Sequence, residues 1–242
     1  AGSGKTRVLV HRIAWLTDVH SVPPWGVLAV TFTNKAAGEM RQRCEQMTGH
    51  DPRAAGLRRG MWVGTFHGLA HRLLRLHWQE AALPETFQVL DSDDQLRLVK
   101  RVMVDLGLDD GRYPPRQAAW FINSCKDEGK RPQHLQGGPA AGDVLLRVYE
   151  TYDQVCRRAG LVDFAELLLR AHEVLRDHGA LLKHYRQRFG HILVDEFQDT
   201  NAIQYGFVRL LAGDSGQVFV VGDDDQAIYG WRGARVENVQ HF

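Results

Sequence analysis

The chain has 242 residues, 44% hydrophobic and 24% charged, enough for a real core, and no stretch has the apolar length of a bilayer span, so neither disorder nor a membrane role is expected. Thirty Lys and Arg against 29 Asp and Glu leave a formal charge of +1, which neither demands nor excludes a nucleic-acid partner. Cys44, Cys125 and Cys156 are scattered, odd in number and without metal-ligand spacing, which fits a reducing, cytoplasmic setting rather than a disulfide framework.

The chain opens at Ala1, inside a glycine-rich motif, so the start of that motif is expected to be missing. Val27–Phe32 reads as a buried strand, followed by a helix over Lys35–Met47 that Thr33 or Asn34 is placed to cap. A Gly- and Arg-dense loop over His50–Gly60 precedes a second strand, Met61–Phe66. From about His67 to about Arg188 the pattern is helical with no strand signal, opening on Leu69, Leu73 and Leu76. Helix starts are marked by Ser92-x-x-Gln95 and Asp163-x-x-Glu166, which resemble capping boxes, and by Pro114–Pro115. Gly129–Gly142 reads as a loop, and two more strands follow at Ile192–Val194 and Gln217–Val221. All four strands are apolar on both faces, as in a parallel sheet covered on both sides. The expected fold is α/β: a parallel-sheet domain built from residues 1–64 and 189–242, interrupted by an all-helical insertion over 65–188.

The chemistry lies at two places. Gly2-Ser3-Gly4-Lys5-Thr6 is the end of a P-loop, where glycines let backbone N–H groups curl around phosphate and the next helix offers its positive end. Ala1, Gly2, Ser3, Gly4, Lys5, Thr6 and Arg7 are therefore the candidate nucleotide contacts, with Lys5 on the β/γ-phosphates and the Thr6 hydroxyl on Mg²⁺. An incidental glycine-rich turn is the bland alternative. It loses force because Ile192-Leu193-Val194-Asp195-Glu196 is an apolar strand ending in two acids, at the sheet edge where phosphate and Mg²⁺ would lie. Asp195 is assigned to Mg²⁺ and Glu196 to polarising the attacking water; solvated strand-end acids are the alternative.

Asp195-Glu196-Phe197-Gln198-Asp199-Thr200 resembles the D-E-x-Q-D-T element of superfamily 1 helicases. Residues 222–234, Gly-Asp-Asp-Asp-Gln-Ala-Ile-Tyr-Gly-Trp-Arg-Gly-Ala, resemble motif III of the UvrD/Rep/PcrA group; residues 29–37 resemble its motif Ia and residues 64–67 its motif Ib. The insertion is similar to that group through residues 62–75 and 160–170, so the resemblance covers nearly the whole chain.

The resemblance implies a RecA-like P-loop NTPase domain, 1A, interrupted by a helical domain, 1B, in a motor that hydrolyses ATP with Mg²⁺ to move 3′ to 5′ along single-stranded DNA in repair. Single-stranded DNA, junctions of single and double strand, and repair proteins that load the motor are the implied partners. It gives Gln226 the sensing of the γ-phosphate and Gln198 a link from hydrolysis to the rest of the motor, and it places both near the phosphates, Gln198 among the nucleotide contacts. Phe32, Tyr229 and Trp231 match aromatics that meet DNA bases, with Arg232 beside them; Asn34 in motif Ia belongs to the same group. Stacking on any base at ~1–3 kcal/mol suits a motor that ignores sequence. Core packing is the alternative for each aromatic, least so for Trp231 among Gly230, Arg232 and Gly233. Lys35, Thr65 and His67 could meet the DNA backbone or stack, or could equally be polar residues near a helix start. A motor of this type closes ATP against arginines of a second RecA-like domain, and none precedes Phe242, so the chain alone is expected to bind nucleotide poorly and unwind nothing. A subunit of a helicase–nuclease complex and a non-enzymatic DNA-binding relic are the rival readings; the retained Lys5, Thr6, Asp195, Glu196 and Gln226 weigh against the relic.

Overall fold

A computed structural model describes residues 4–47, 60–136 and 144–223. Along the first part run α1 (Lys5–Asp18), β1 (Val27–Thr31), α2 (Asn34–Met47), β2 (Trp62–Thr65) and α3 (Phe66–Leu76). The middle holds β3 (Gln88–Val89), α4 (Ser92–Asp105), α5 (Pro115–Asp127), α6 (Pro132–Leu135), α7 (Val144–Ala159), β4 (Leu161–Val162), α8 (Phe164–Asp177) and α9 (Gly179–Arg188). β5 (His191–Val194), α10 (Ala202–Ala212) and β6 (Gln217–Val220) close the described chain.

Four strands form one parallel sheet in the order β2-β1-β5-β6, with Leu28 opposite both Trp62 and Ile192, and Ile192 opposite Val218. Side chains alternate across a strand, so Leu28, Val30, Ile192 and Val194 enter one core while Val27, Ala29 and Leu193 enter the other. Leu9, Val10 and Ile13 of α1 and Met40 of α2 cover the second face. The first is covered by α3, α8 and α10, through Leu69, Leu73, Leu168, Phe207 and their neighbours. Burial on both faces is why β1 and β5 read as unbroken apolar runs, each large aliphatic residue contributing roughly 1.5–3 kcal/mol, whereas β2 and β6 are only partly buried.

The middle of the chain departs from the expected all-helical insertion. β3 and β4 form a two-stranded parallel sheet, with Gln88 N–H donating to Gly160 O and Leu90 N–H to Val162 O, both at 2.9 Å. Two residues are too few to carry an alternation, so the sequence pattern could not announce them. Gly160 makes the approach possible: its φ is +64, and a Cβ there would strike the Pro84 ring.

Helix starts also shift. Asp91, not Ser92, caps α4, its Oδ1 accepting from the N–H groups of Asp93 and Asp94 at 2.9 and 2.8 Å. Ser92 already stands inside the helix. Asp163 caps α8 through the Glu166 N–H, but the Glu166 carboxylate turns to Arg131 instead of closing a box. At α2 the cap is Thr33, whose Oγ1 accepts from Ala36 N–H at 3.1 Å. Pro114 and Pro115 open α5 as read.

A separate cluster of Val99, Val102, Ile122, Val148, Tyr149 and Tyr152 joins α4, α5 and α7. Between it and the sheet-side helices lies a buried ionic network. Lys126 meets Asp163 and Glu166 at 2.6 and 3.1 Å, while Arg131 meets Glu166 with both nitrogens at 2.7 and 2.9 Å and also pairs with Glu173. Burial alone would push the Lys126 ammonium down, but the two carboxylates hold it above its ordinary value. The same cations keep Glu166 well below the usual carboxylate range despite its burial.

Candidate nucleotide site and an adjoining aromatic pair

α1 starts at Lys5 because Gly4 adopts φ +76, a left-handed turn that glycine enters without strain. No side chain caps this end and its first turn holds no acid, so its N–H groups and dipole suit an anion. The two acids read from sequence at the carboxyl end of β5, Asp195 and Glu196, face it, and Asp223 joins them beyond the end of β6. Thr6 Oγ1 donates to Asp195 Oδ2 at 3.0 Å, and Lys5 Nζ lies 3.2 Å from Glu196 Oε2 and 3.8 Å from Asp223 Oδ2.

Asp195 is 1% exposed, and burial raises its carboxyl above the ordinary value, opposed by the Thr6 hydroxyl. Its Oδ1 accepts from Glu196 N–H at 3.1 Å. Glu196 sits at φ +51, ψ +44, a left-handed conformation that costs a residue with a Cβ of order 1–3 kcal/mol. Gln198 fastens this turn to the next strand end: Nε2 donates to Glu196 Oε2 at 2.9 Å, and Oε1 accepts from Asp223 N–H at 3.0 Å. Gly222 leaves that contact room, since a Cβ there would meet Gln198 Oε1.

One hydroxyl and one carboxylate are the small oxygen set that Mg²⁺ takes from a protein while keeping waters and phosphate oxygens. Thr6 and Asp195, already hydrogen-bonded to each other, together offer that pair of oxygens. Arg7 is exposed and contacts His11 along α1 at 3.4 Å. Ala1, Gly2, Ser3, Gln226, Tyr229, Trp231 and Arg232 lie outside the described residues.

The remaining candidates gather around the end of β1 and the start of α3. Phe32 is half-buried, its ring edge-on to Phe66 at 5.5 Å between centroids. Asn34 and Lys35 are exposed at the start of α2. Thr65 caps α3, its Oγ1 accepting from Gly68 N–H at 3.1 Å, so its hydroxyl has a structural use. His67, half-buried, meets Phe164 edge-on at 6.0 Å. Phe164 was not singled out from the sequence, yet it is 49% exposed at the first position of α8. Phase gave no sign of this exposure: Phe164 stands four, seven and eleven positions before the buried Leu168, Ala171 and Leu175, on their own stripe, and is uncovered because it opens the helix. Asp223 was passed over too, as one of three adjacent acids.

The profile of the UvrD/REP helicase N-terminal domain matches residues 1–242. The chain is 62% identical to DNA helicase II of Escherichia coli (strain K12) over 243 residues, all of this chain and 33% of that protein. Identity is 54% to DNA helicase II of Haemophilus influenzae over 243 residues, with the same coverage, and 42% to ATP-dependent DNA helicase PcrA of Leuconostoc citreum over 244 residues, all of this chain and 32% of that protein. The chain spans about a third of the length of these curated relatives. No described helix is long and apolar enough to cross a membrane. With a P-loop end, paired acids and a parallel sheet joined in one site, the chain belongs to the UvrD/REP helicase N-terminal domain family.

Proposed function

We propose that the chain carries the nucleotide-binding site of a cytoplasmic, ATP-driven DNA helicase that moves 3′ to 5′ along single-stranded DNA and opens duplex at junctions during repair. The carrying observation is the Thr6–Asp195 hydrogen bond beside the Lys5–Glu196 ion pair, which brings residues 189 positions apart to one sheet edge. In this reading Lys5 and the α1 N-terminus hold the β/γ-phosphates, and Thr6 and Asp195 hold Mg²⁺, which neutralises phosphate charge. Glu196 takes a proton from the attacking water, and Gln198 ties its carboxylate to the strand end that leads into residues 224–234. Gln226 senses the γ-phosphate.

For DNA, the reading uses Phe32, Asn34, Lys35, Thr65, His67, Tyr229, Trp231 and Arg232, and adds Phe164. An exposed phenyl ring against an imidazole offers a base a stacking surface at the helix start. The names of the relatives, DNA helicase II and PcrA, support DNA as the substrate. Of the division into 1A and 1B, the cores support a narrower insertion than 65–188, centred on α4, α5 and α7, because α3, α8 and α9 share the sheet's cluster.

The test is equilibrium binding of a fluorescent ATP analogue with Mg²⁺, comparing a protein in which this chain is joined to a second RecA-like domain with its Lys5→Ala and Asp195→Asn forms. Each substitution is expected to weaken binding at least tenfold; equal affinity in all three proteins sinks the reading.

A further inference from the structure

Phe164 is exposed, yet the segment carrying it is fixed by elements other than those that build the nucleotide site. Residues 161–162 are held in the β3–β4 ladder, and Asp163 follows at once. Both oxygens of this nearly fully buried carboxylate are engaged: Oδ1 accepts from Glu166 N–H at 2.8 Å, while Oδ2 accepts from Tyr152 OH at 2.8 Å and from Lys126 Nζ at 2.6 Å. Lys126 comes from α5 and Tyr152 from α7, so two helices of the separate cluster grip the residue immediately before Phe164.

A buried ammonium–carboxylate pair is a poor way to gain stability, because removing both charges from water cancels most of their attraction, and an apolar filling serves as well or better. What such a pair does supply is direction. Three donors of fixed origin allow Asp163 one placement, and a helix cap on its other oxygen transmits that placement to the first turn of α8.

We propose that Lys126 and Tyr152 are positioning residues for DNA binding: through Asp163 they set the pose of Phe164 against His67, and so tie base stacking to the helices α5 and α7. This rests on the reading of Phe164 as a base contact. It assigns the cluster a role beyond holding the chain together, and it makes the seat of α5 and α7 on α8 a determinant of how tightly a single strand is gripped.

A double-substitution cycle separates the two levels. Binding of single-stranded oligo-dT and the quenching of a fluorescent base analogue within it are measured for the chain, for Phe164→Ala, for Tyr152→Phe and for the pair. Phe164→Ala is expected to weaken binding about tenfold, a typical loss for one stacked base. Tyr152→Phe keeps the ring in its core and removes a single donor. It is expected to weaken binding two- to fivefold and reduce the quenching, with no further loss when added to Phe164→Ala. If Phe164→Ala binds as the unaltered chain does, the base-contact reading falls and the positioning role with it. If Phe164→Ala weakens binding but Tyr152→Phe does not, or the two losses multiply, Phe164 keeps its role and the positioning proposal is overturned. Asp163→Asn supplies a second arm, since the amide keeps the cap oxygen but turns an N–H₂ toward Lys126 and Tyr152. It should reproduce the Tyr152→Phe pattern more strongly, and a loss of unfolding midpoint without a loss of DNA grip counts against the proposal.

Discussion

Glu196 holds a backbone shape that costs stability at the very place where an acid faces Lys5. Glycine enters that shape freely, and the half-exposed ion pair returns little. Glu196→Gly is therefore expected to raise stability by about 1 kcal/mol, read as a higher urea midpoint, while removing the proposed base for water. An unchanged or lower midpoint means the turn is not strained. Thr6→Val makes the opposite bargain. It deprives the buried Asp195 of its side-chain donor, with a cost on the order of 1–3 kcal/mol, and takes away the proposed metal ligand. Adding Mg²⁺ should then no longer tighten nucleotide binding; an intact Mg²⁺ effect excludes Thr6 as a ligand. At this scale the sequence pointed to Lys5, Thr6, Asp195 and Glu196, which the structure brings to one sheet edge. It was silent on Phe164 and on the grip of Lys126, because both depend on which helices meet, and charge pattern alone cannot separate a buried lysine from a solvated one.

Among the elements, the four strands of the main sheet were visible as runs of apolar residues, which burial on both faces explains for β1 and β5, whereas β3 and β4 left no trace in two residues each. Their pairing leans on a single turn. Gly160→Ala adds a Cβ at positive φ and against Pro84, so a loss of about 2 kcal/mol is expected from strain and displacement together. Thermal unfolding of the variant measures it, and a change within 0.5 kcal/mol, about the scatter of surface substitutions, shows that the turn yields. Asp91→Ala strips two N–H groups of their acceptor and is expected to cost about 1 kcal/mol. The sequence pointed one residue too far along at this cap, since Ser92 and Asp91 are both acceptable caps and only the backbone decides between them.

For the molecule as a whole, acid should act before base. Burial lowers His71, His77, His172 and His191 below the ordinary 6.5, so the unfolded chain takes up protons first and stability falls as pH drops from about 6.5. Glu166, held far below 4.5, adds a second loss on further acidification. Lys126, held above 10.5, contributes fully below that value and gives way only above it. Urea midpoints from pH 4 to 9 are expected to be level above neutrality and to decline below it; a midpoint that rises on acidification to pH 5 refutes this ordering. The boundary between the clusters on the sheet's two faces and the separate cluster of α4, α5 and α7 was legible only as a change from strands to helices, because a boundary is set by which apolar faces share a cluster.

The ladder between β3 and β4 joins residue 88 to residue 161, with α4, α5, α6 and α7 lying between them in the chain. So short a ladder offers little reward for closing so long a loop, and closure entropy must be met before either hydrogen bond forms. In time rather than space, the pair is a late event. The helices between must first gather, and the amides of Gln88 and Leu90 gain protection from exchange only afterwards, which makes them a clock for completion of the fold.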